Sequence, residues 1–157
     1  MSNSNKLQLV SFKVCPFAQR AAIALQEKKV AYETEYLVPG DDQPEWFKAI
    51  SPLGKVPVLV VNGTPVFESA VILEYLDEVY APQLHPADPL AKARQRAWME
   101  MASDLFSKQY LMVTSKEQAG FETAKQELQA GLERVAAALS AEPLFFNGAN
   151  FALVDVA

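Results

Sequence analysis

The chain of 157 residues carries one cysteine and one histidine, and those two scarcities exclude more chemistry than any other feature. A single cysteine cannot close an internal disulfide, so this is not a disulfide-stapled scaffold. Cys15 and His85 alone cannot supply the nitrogen and sulfur ligands of a structural zinc site, and no metal is expected. A Ser-His-Asp triad would have to run through His85, which lies in a proline-rich stretch and reads as a solvated linker residue. No apolar run approaches the ~20 residues needed to cross a bilayer. The polar start, Met1–Lys6, lacks the apolar core of a signal peptide. Basic residues number 14 against 19 acidic, net −5, with no basic cluster. A nucleic-acid footprint needs such a cluster. The expectation is a cytoplasmic protein with neither nucleic acid nor membrane as partner.

What the chain does have is an apolar half and a clear change of pattern along its length. Lys6–Phe12 reads as a strand, and Pro16–Lys28 as a helix with Pro16 in its first turn. Lys28 and Lys29 then fall where a helix C-terminus favours positive charge. Ala31–Leu37 alternates as a half-buried strand should. Glu45–Ile50 reads as a short helix, and Val58–Val61 and Pro65–Phe67 as a hairpin across Asn62-Gly63. Ser69 is placed to cap a helix running to about Val79. From Leu90 on the pattern is helical, over Leu90–Lys116 and Phe121–Leu139, with apolar residues at steps of three and four. The order is βαβ, then ββα, then helices. A βαβ crossover implies a parallel pair and a hairpin adds an antiparallel strand, giving a mixed sheet. The expected division is an α/β domain over 1–80, a linker over 81–89 and an all-α domain over 90–157.

Three places invite chemistry. Cys15 lies between a strand and a helix start, and helix N-termini favour thiolate, the nucleophilic form of cysteine. The alternative is a small buried apolar residue. Arg20 follows one turn on and adds positive charge, although helical spacing does not point it straight back. Val56-Pro57 opens a strand, where the bond is either an ordinary trans one or a cis one. A cis bond would turn the Val56 backbone outward to pair with an extended peptide. Glu68-Ser69 heads a helix, where Ser69 either simply caps it or helps bind a ligand carboxylate.

Cys15-Pro16-Phe17-Ala18-Gln19-Arg20, Pro44-Glu45-Trp46-Phe47, Ser51-Pro52, Lys55-Val56-Pro57-Val58-Leu59 and Phe67-Glu68-Ser69 occur in one order. Together they resemble the thioredoxin-like N-terminal domain of the glutathione S-transferases, nearest to the cysteine-type, omega-like class. Phe145-Phe146-Asn147-Gly148 and Leu153-Val154-Asp155 extend the resemblance to the end of the chain. It implies that Cys15 forms a mixed disulfide with glutathione, the co-substrate, and that Phe17 lines the same mouth. It implies that the Val56 backbone, held by cis-Pro57, pairs with the cysteinyl part of glutathione, and that Glu68 and Ser69 grip its γ-glutamyl part. Gln43 stands where the class often has a lysine, which leaves Lys55 as the nearest cation for the glycine carboxylate. Trp98, Met101 and Phe106, on the first long helix, become candidates for the electrophile pocket. Trp46 and Phe47 read as packing under the loop.

Members of this family continue for several more helices, and the segment at Ala152–Asp155 begins a buried one. Ala152 replaces its Ser or Thr cap, while Asp155 remains as the helix-start acid. The helical domain therefore reads as truncated, with an apolar face left for missing helices or for a partner chain, and a homodimer is expected. The activity implied is a glutathione-dependent thiol transferase or reductase acting on a small-molecule or protein disulfide. A cysteine in this position argues against simple conjugation, since the nearby hydroxyls of Ser11 and Tyr32 are out of register. The alternative is a transferase-like scaffold that binds a protein partner without catalysis. Chloride intracellular channel proteins share a similar Cys-Pro-Phe start, but no long apolar segment accompanies it here.

Overall fold

The computed structural model describes residues 6–139, 144–146 and 148–157; Met1–Asn5 of the polar start and Asn147 of the expected turn lie outside them. The chain divides into two compact units, Met1–Gln83 and Leu84–Ala157. No helix among the described residues is long and apolar enough to cross a membrane.

The first unit contains β1 (Leu7–Ser11), α1 (Pro16–Glu27), β2 (Glu33–Tyr36), α2 (Glu45–Ile50), β3 (Val58–Val61), β4 (Thr64–Phe67) and α3 (Ser69–Val79). The strands form one mixed sheet in the order β2-β1-β3-β4. β1 pairs with β2 in parallel and with β3 antiparallel, and β3 and β4 form the expected hairpin. Its turn, Asn62-Gly63, has positive φ at both residues (50° and 85°), the geometry whose twist matches the flanking strands. Alternation sends Val10 and Val58 to one face, where they bury against Phe47 of α2. On α1 the buried positions include Ala18, Ala21 and Ala24, small side chains that let α3 pack close with Ile72, Leu73 and Leu76.

One expectation fails here for a tertiary reason, and another residue does more than its position foretold. Ala31–Leu37 was to be half-buried, yet β2 spans only Glu33–Tyr36 and all four residues are exposed, because it is an edge strand with a neighbour on one side. Lys28 stands at the α1 C-terminus, where its positive charge was expected, and it has a further role there. It is the C-cap residue, but it is buried, 2.8 Å from Asp77 Oδ1, and its Nζ also donates to the carbonyls of Tyr80 (2.9 Å) and Pro82 (2.7 Å).

The second unit contains α4 (Pro89–Thr114), α5 (Gln118–Ala138) and a short 3₁₀ helix, Leu153–Val156. Asp88 caps α4, its side chain accepting from the Ala91 N–H at 2.7 Å. α4 buries Gln95, Met99 and Leu105, and α5 buries Ala124 and Gly131 against it. Leu132 and Leu139, expected within the apolar stripe of α5, stand exposed. His85 is buried rather than solvated, because the segment it belongs to is tied down: Leu153 N–H donates to the Leu84 carbonyl at 3.3 Å. At the chain's end Ala152, Leu153, Val154 and Val156 are buried, as the helix start they resemble should be. Asp155 substitutes for the missing cap side chain by reaching back, with Oδ2 2.8 Å from the Ala152 N–H and Oδ1 2.6 Å from the Phe146 N–H.

Candidate functional site

Cys15 is the N-cap residue of α1, with extended backbone angles, and Pro16 follows in the first helical position. Its N–H donates to Phe12 O at 3.3 Å, closing the turn out of β1, and its carbonyl accepts from Gln19 N at 3.1 Å, opening the helix. The Phe17 and Ala18 N–H groups of this first turn have no acceptor within the helix. The sulfur is partly exposed and lies 3.9 Å from the Val56 carbonyl oxygen. A residue 41 positions away is therefore its neighbour.

The bond from Val56 to Pro57 is cis, one of the two conformations open to the sequence. A second cis bond, Ala81-Pro82, had no expectation attached to it. The turn that delivers Val56 is held by Ser51, whose buried hydroxyl donates to the Lys55 carbonyl at 2.8 Å and accepts from the Lys55 N–H at 2.9 Å. Lys55 itself is exposed. Gln43, the position where a lysine was to be looked for, donates from Nε2 to the Gly54 carbonyl at 2.8 Å and so braces the same turn from the other side. Ser51 and Gln43 escaped the sequence reading as supports, although Ser before Pro at a helix end is a turn signal that points to the first of them.

Ser69 does not cap α3. Glu68 is the N-cap residue, at φ 68° and ψ 116°, and it makes no side-chain capping bond. Ser69 is the first helical residue and is buried, and its hydroxyl accepts from Arg20 Nη1 at 3.4 Å. Arg20 is only 1 % exposed, with its guanidinium carbon 5.4 Å from the centre of the Phe17 ring. Arg20 connects the helix that Cys15 heads to the helix that Ser69 heads. The structure thus brings Cys15 to Val56, and Phe17 through Arg20 to Ser69, within the first unit. The Ser11 hydroxyl is engaged elsewhere, donating to the Phe12 carbonyl at 2.7 Å.

Of the two aromatics expected to pack under the loop, Phe47 is fully buried, whereas Trp46 is 45 % exposed and meets Phe47 edge-on at 5.9 Å. Trp98, Met101 and Phe106 lie on α4 in the second unit, each half-buried, and the Trp98 ring packs 5.2 Å from that of Phe146. Among the described residues no group of three or more His, Cys, Asp and Glu side chains is disposed to hold a metal ion.

Residues 14–79 match the family model described as glutathione S-transferase, N-terminal domain. The chain is similar to glutathione S-transferase omega-1 of Rattus norvegicus, at 34 % identity over 157 residues, covering 96 % of this chain and 63 % of the rat protein. It is 31 % identical to glutathione S-transferase U22 of Arabidopsis thaliana, covering 98 % of this chain and 71 % of that one. Among solved structures, rice GST1 in complex with glutathione superposes with a TM-score of 0.87 at 29 % identity, over 99 % of this chain and 72 % of the rice chain. The chain accordingly spans less than two-thirds of the length of its rat relative.

Proposed function

The chain belongs to the glutathione S-transferase family, and on that premise we propose that it is a glutathione-dependent thiol transferase whose nucleophile is Cys15. The observation that carries this reading is the position of the Cys15 sulfur, at the head of α1 and 3.9 Å from the Val56 carbonyl. A cysteine at a helix head beside a strand entrance suits a nucleophile that exchanges with a disulfide held along that strand.

The reaction proceeds in two exchanges. The Cys15 thiolate attacks the glutathionyl sulfur of a mixed disulfide, forming Cys15–S–S–glutathione, while the other sulfur leaves as a thiolate and takes up a proton. The thiolate of a second glutathione then attacks the glutathionyl sulfur on Cys15, releasing oxidised glutathione and restoring the Cys15 thiolate. One glutathione thiol is consumed per mixed disulfide, the other half of the oxidised glutathione coming from the substrate itself, and no metal takes part. Because the described residues contain one cysteine, the second exchange needs an external thiol.

In this reading the Val56 main chain pairs with the cysteinyl portion of glutathione, Glu68 and Ser69 hold the γ-glutamyl end, Phe17 lines the mouth, and Lys55 faces the glycine carboxylate. Ser69 reaches that role already oriented by Arg20. Pro57 keeps the strand entrance in place. The test is glutathione-dependent reduction of the mixed disulfide between glutathione and 2-mercaptoethanol by the full chain and by Cys15→Ser. The wild type turns it over and the variant does not; an inactive wild type, or a variant that matches it, would falsify the proposal.

A further inference from the structure

The edge of the sheet next to β2 is open, and its chemistry selects a partner. Leu37 N–H donates to Ser11 O at 2.9 Å, so the backbone groups of Leu37, and by alternation those of Glu35 and Glu33, point at β1. Those of Thr34 and Tyr36 point away from it, and among the described residues nothing bonds to them. All four side chains of β2 are exposed. Such an edge accepts an extended peptide as a further strand.

The register sorts the side chains. Glu33 and Glu35 lie opposite Gln8 and Val10, on the face covered by α2. There a recess of ≈ 290 Å³, open to solvent, is lined by Gln8, Glu35 and Trp46. Glu35 has no ion-pair partner among the described residues, and Trp46 exposes 45 % of its surface beside it. A carboxylate next to an indole face is the combination that holds an ammonium or guanidinium group. The surroundings have the same sign: residues 30–47 contain five carboxylates and no Lys, Arg or His. Nearby cations compensate only in part. Lys6 is 3.8 Å from Glu33, Lys48 is paired with Glu45 and Asp42 at 2.9 and 3.5 Å, and Lys13 stands 6.0 Å from the Tyr36 ring.

We propose that β2 and the Glu35–Trp46 recess dock an extended, basic segment of a protein substrate. This deepens the thiol transferase reading and rests on it for the nature of that substrate, a protein whose cysteine carries glutathione in disulfide linkage. The added strand bonds to the outward backbone of Thr34 and Tyr36. A Lys or Arg on its α2-facing side enters the recess, since cross-strand neighbours lie only about 5 Å apart. Tyr36 pairs with Ser11, the last residue of β1, so the docked strand ends at the edge of the sheet from which the Cys15 turn departs.

The experiment uses the full chain and two labelled decapeptides, one flanking its central residue with Lys and Arg, the other with Glu and Asp. Fluorescence anisotropy is read with serine at the centre, and turnover with a glutathionylated cysteine there. The basic peptide is expected to bind about tenfold more tightly than the acidic one, with the difference shrinking as salt is raised. Glu35→Lys removes the preference, and Thr34→Pro, which deletes an outward N–H, weakens the basic peptide several-fold. Turnover of the glutathione–2-mercaptoethanol disulfide is unchanged in both variants. Equal affinity for the two peptides, or a preference that survives Glu35→Lys, overturns the proposal and leaves an edge that is merely guarded by charge. Failure of the small disulfide with the wild type sinks the thiol transferase reading instead, and the anisotropy still decides the docking.

Discussion

Lys28 Nζ lies 2.8 Å from Asp77 Oδ1, with the two side chains 0 % and 4 % exposed, so α1 and α3 share an ion pair removed from water. Burying both charges is costly, and the pair holds only because its hydrogen bonds are made. Lys28 satisfies all three of its N–H donors, on Asp77 and on the carbonyls of Tyr80 and Pro82. Breaking it from either side strands a buried charge. Lys28→Met and Asp77→Leu are each expected to lose about 3–5 kcal/mol of stability. The double variant should lose clearly less than the two losses added. A urea-melt double-mutant cycle measures this, and strict additivity would show that the pair is not coupled.

Gly131 marks a close approach of α5 to α4. A Cβ built on it would meet Leu105 Cδ2 well inside van der Waals distance. Ala is intrinsically the better helix former by about 1 kcal/mol, so propensity alone makes Gly131→Ala stabilising. Overpacking of this kind costs about 1–3 kcal/mol, and the net expectation is a loss. Combining Gly131→Ala with Leu105→Ala should cost less than the sum of the two. A lower urea midpoint for the single variant is the expected reading, and a higher one would mean that the helices separate freely.

The Ser51 hydroxyl bonds both backbone groups of Lys55 and is buried. Ser51→Ala leaves those groups without it, at a cost of about 1–3 kcal/mol. Because that turn delivers Val56, glutathione KM should rise more than kcat falls. A proportional fall in kcat with KM unchanged would place the effect on the chemistry of Cys15 instead.

Burial holds the Tyr75 phenol above its ordinary value of 10.0, and Tyr80 nearby pushes it the same way. The raised value means that the folded protein keeps the proton longer than the unfolded chain. Stability from this source is complete below pH 10 and declines as pH climbs through the folded value. Lys48, raised above 10.5 chiefly by its hydrogen bond to Glu45, acts in the same direction. Thermal melts should therefore fall in Tm from pH 10 upward, and Tyr75→Phe should flatten that decline. A variant that tracks the wild type across the range would remove Tyr75 from the account.

Local pattern carried much of the fold. The spans of α2 and β3 coincide with their expected limits, and α3 ends where expected, since Pro, Gly and the Asn-Gly turn punctuate the chain there. The mixed sheet followed from the order of elements. What local pattern could not carry was who sits next to whom. Nothing around Lys28 announces Asp77, 49 residues on, and nothing around His85 announces the segment that buries it. The alternation of β2 was real, but burial depends on the number of neighbouring strands, which is a property of the sheet. Within the candidate site, Cys15, Val56, Glu68 and Ser69 stood out by their place at helix and strand ends. Arg20 stood out only as charge near Cys15, because the partner it takes, Ser69, comes from another helix.

The two cross-links between α1 and α3 are set at matching intervals. Arg20 and Lys28 are eight residues apart on one helix, and so are Ser69 and Asp77 on the other. Eight residues advance a helix by about 12 Å, so the rungs are equally spaced on both rails. The helices consequently run in the same direction, with Cys15 and Glu68 heading the same end of the pair. A one-residue insertion between the rungs on either rail would rotate one partner by about 100° and leave only one rung in place. The pair behaves as a ruler that tolerates exchange of its facing side chains but no change of length, and it is length that keeps the two helix heads level.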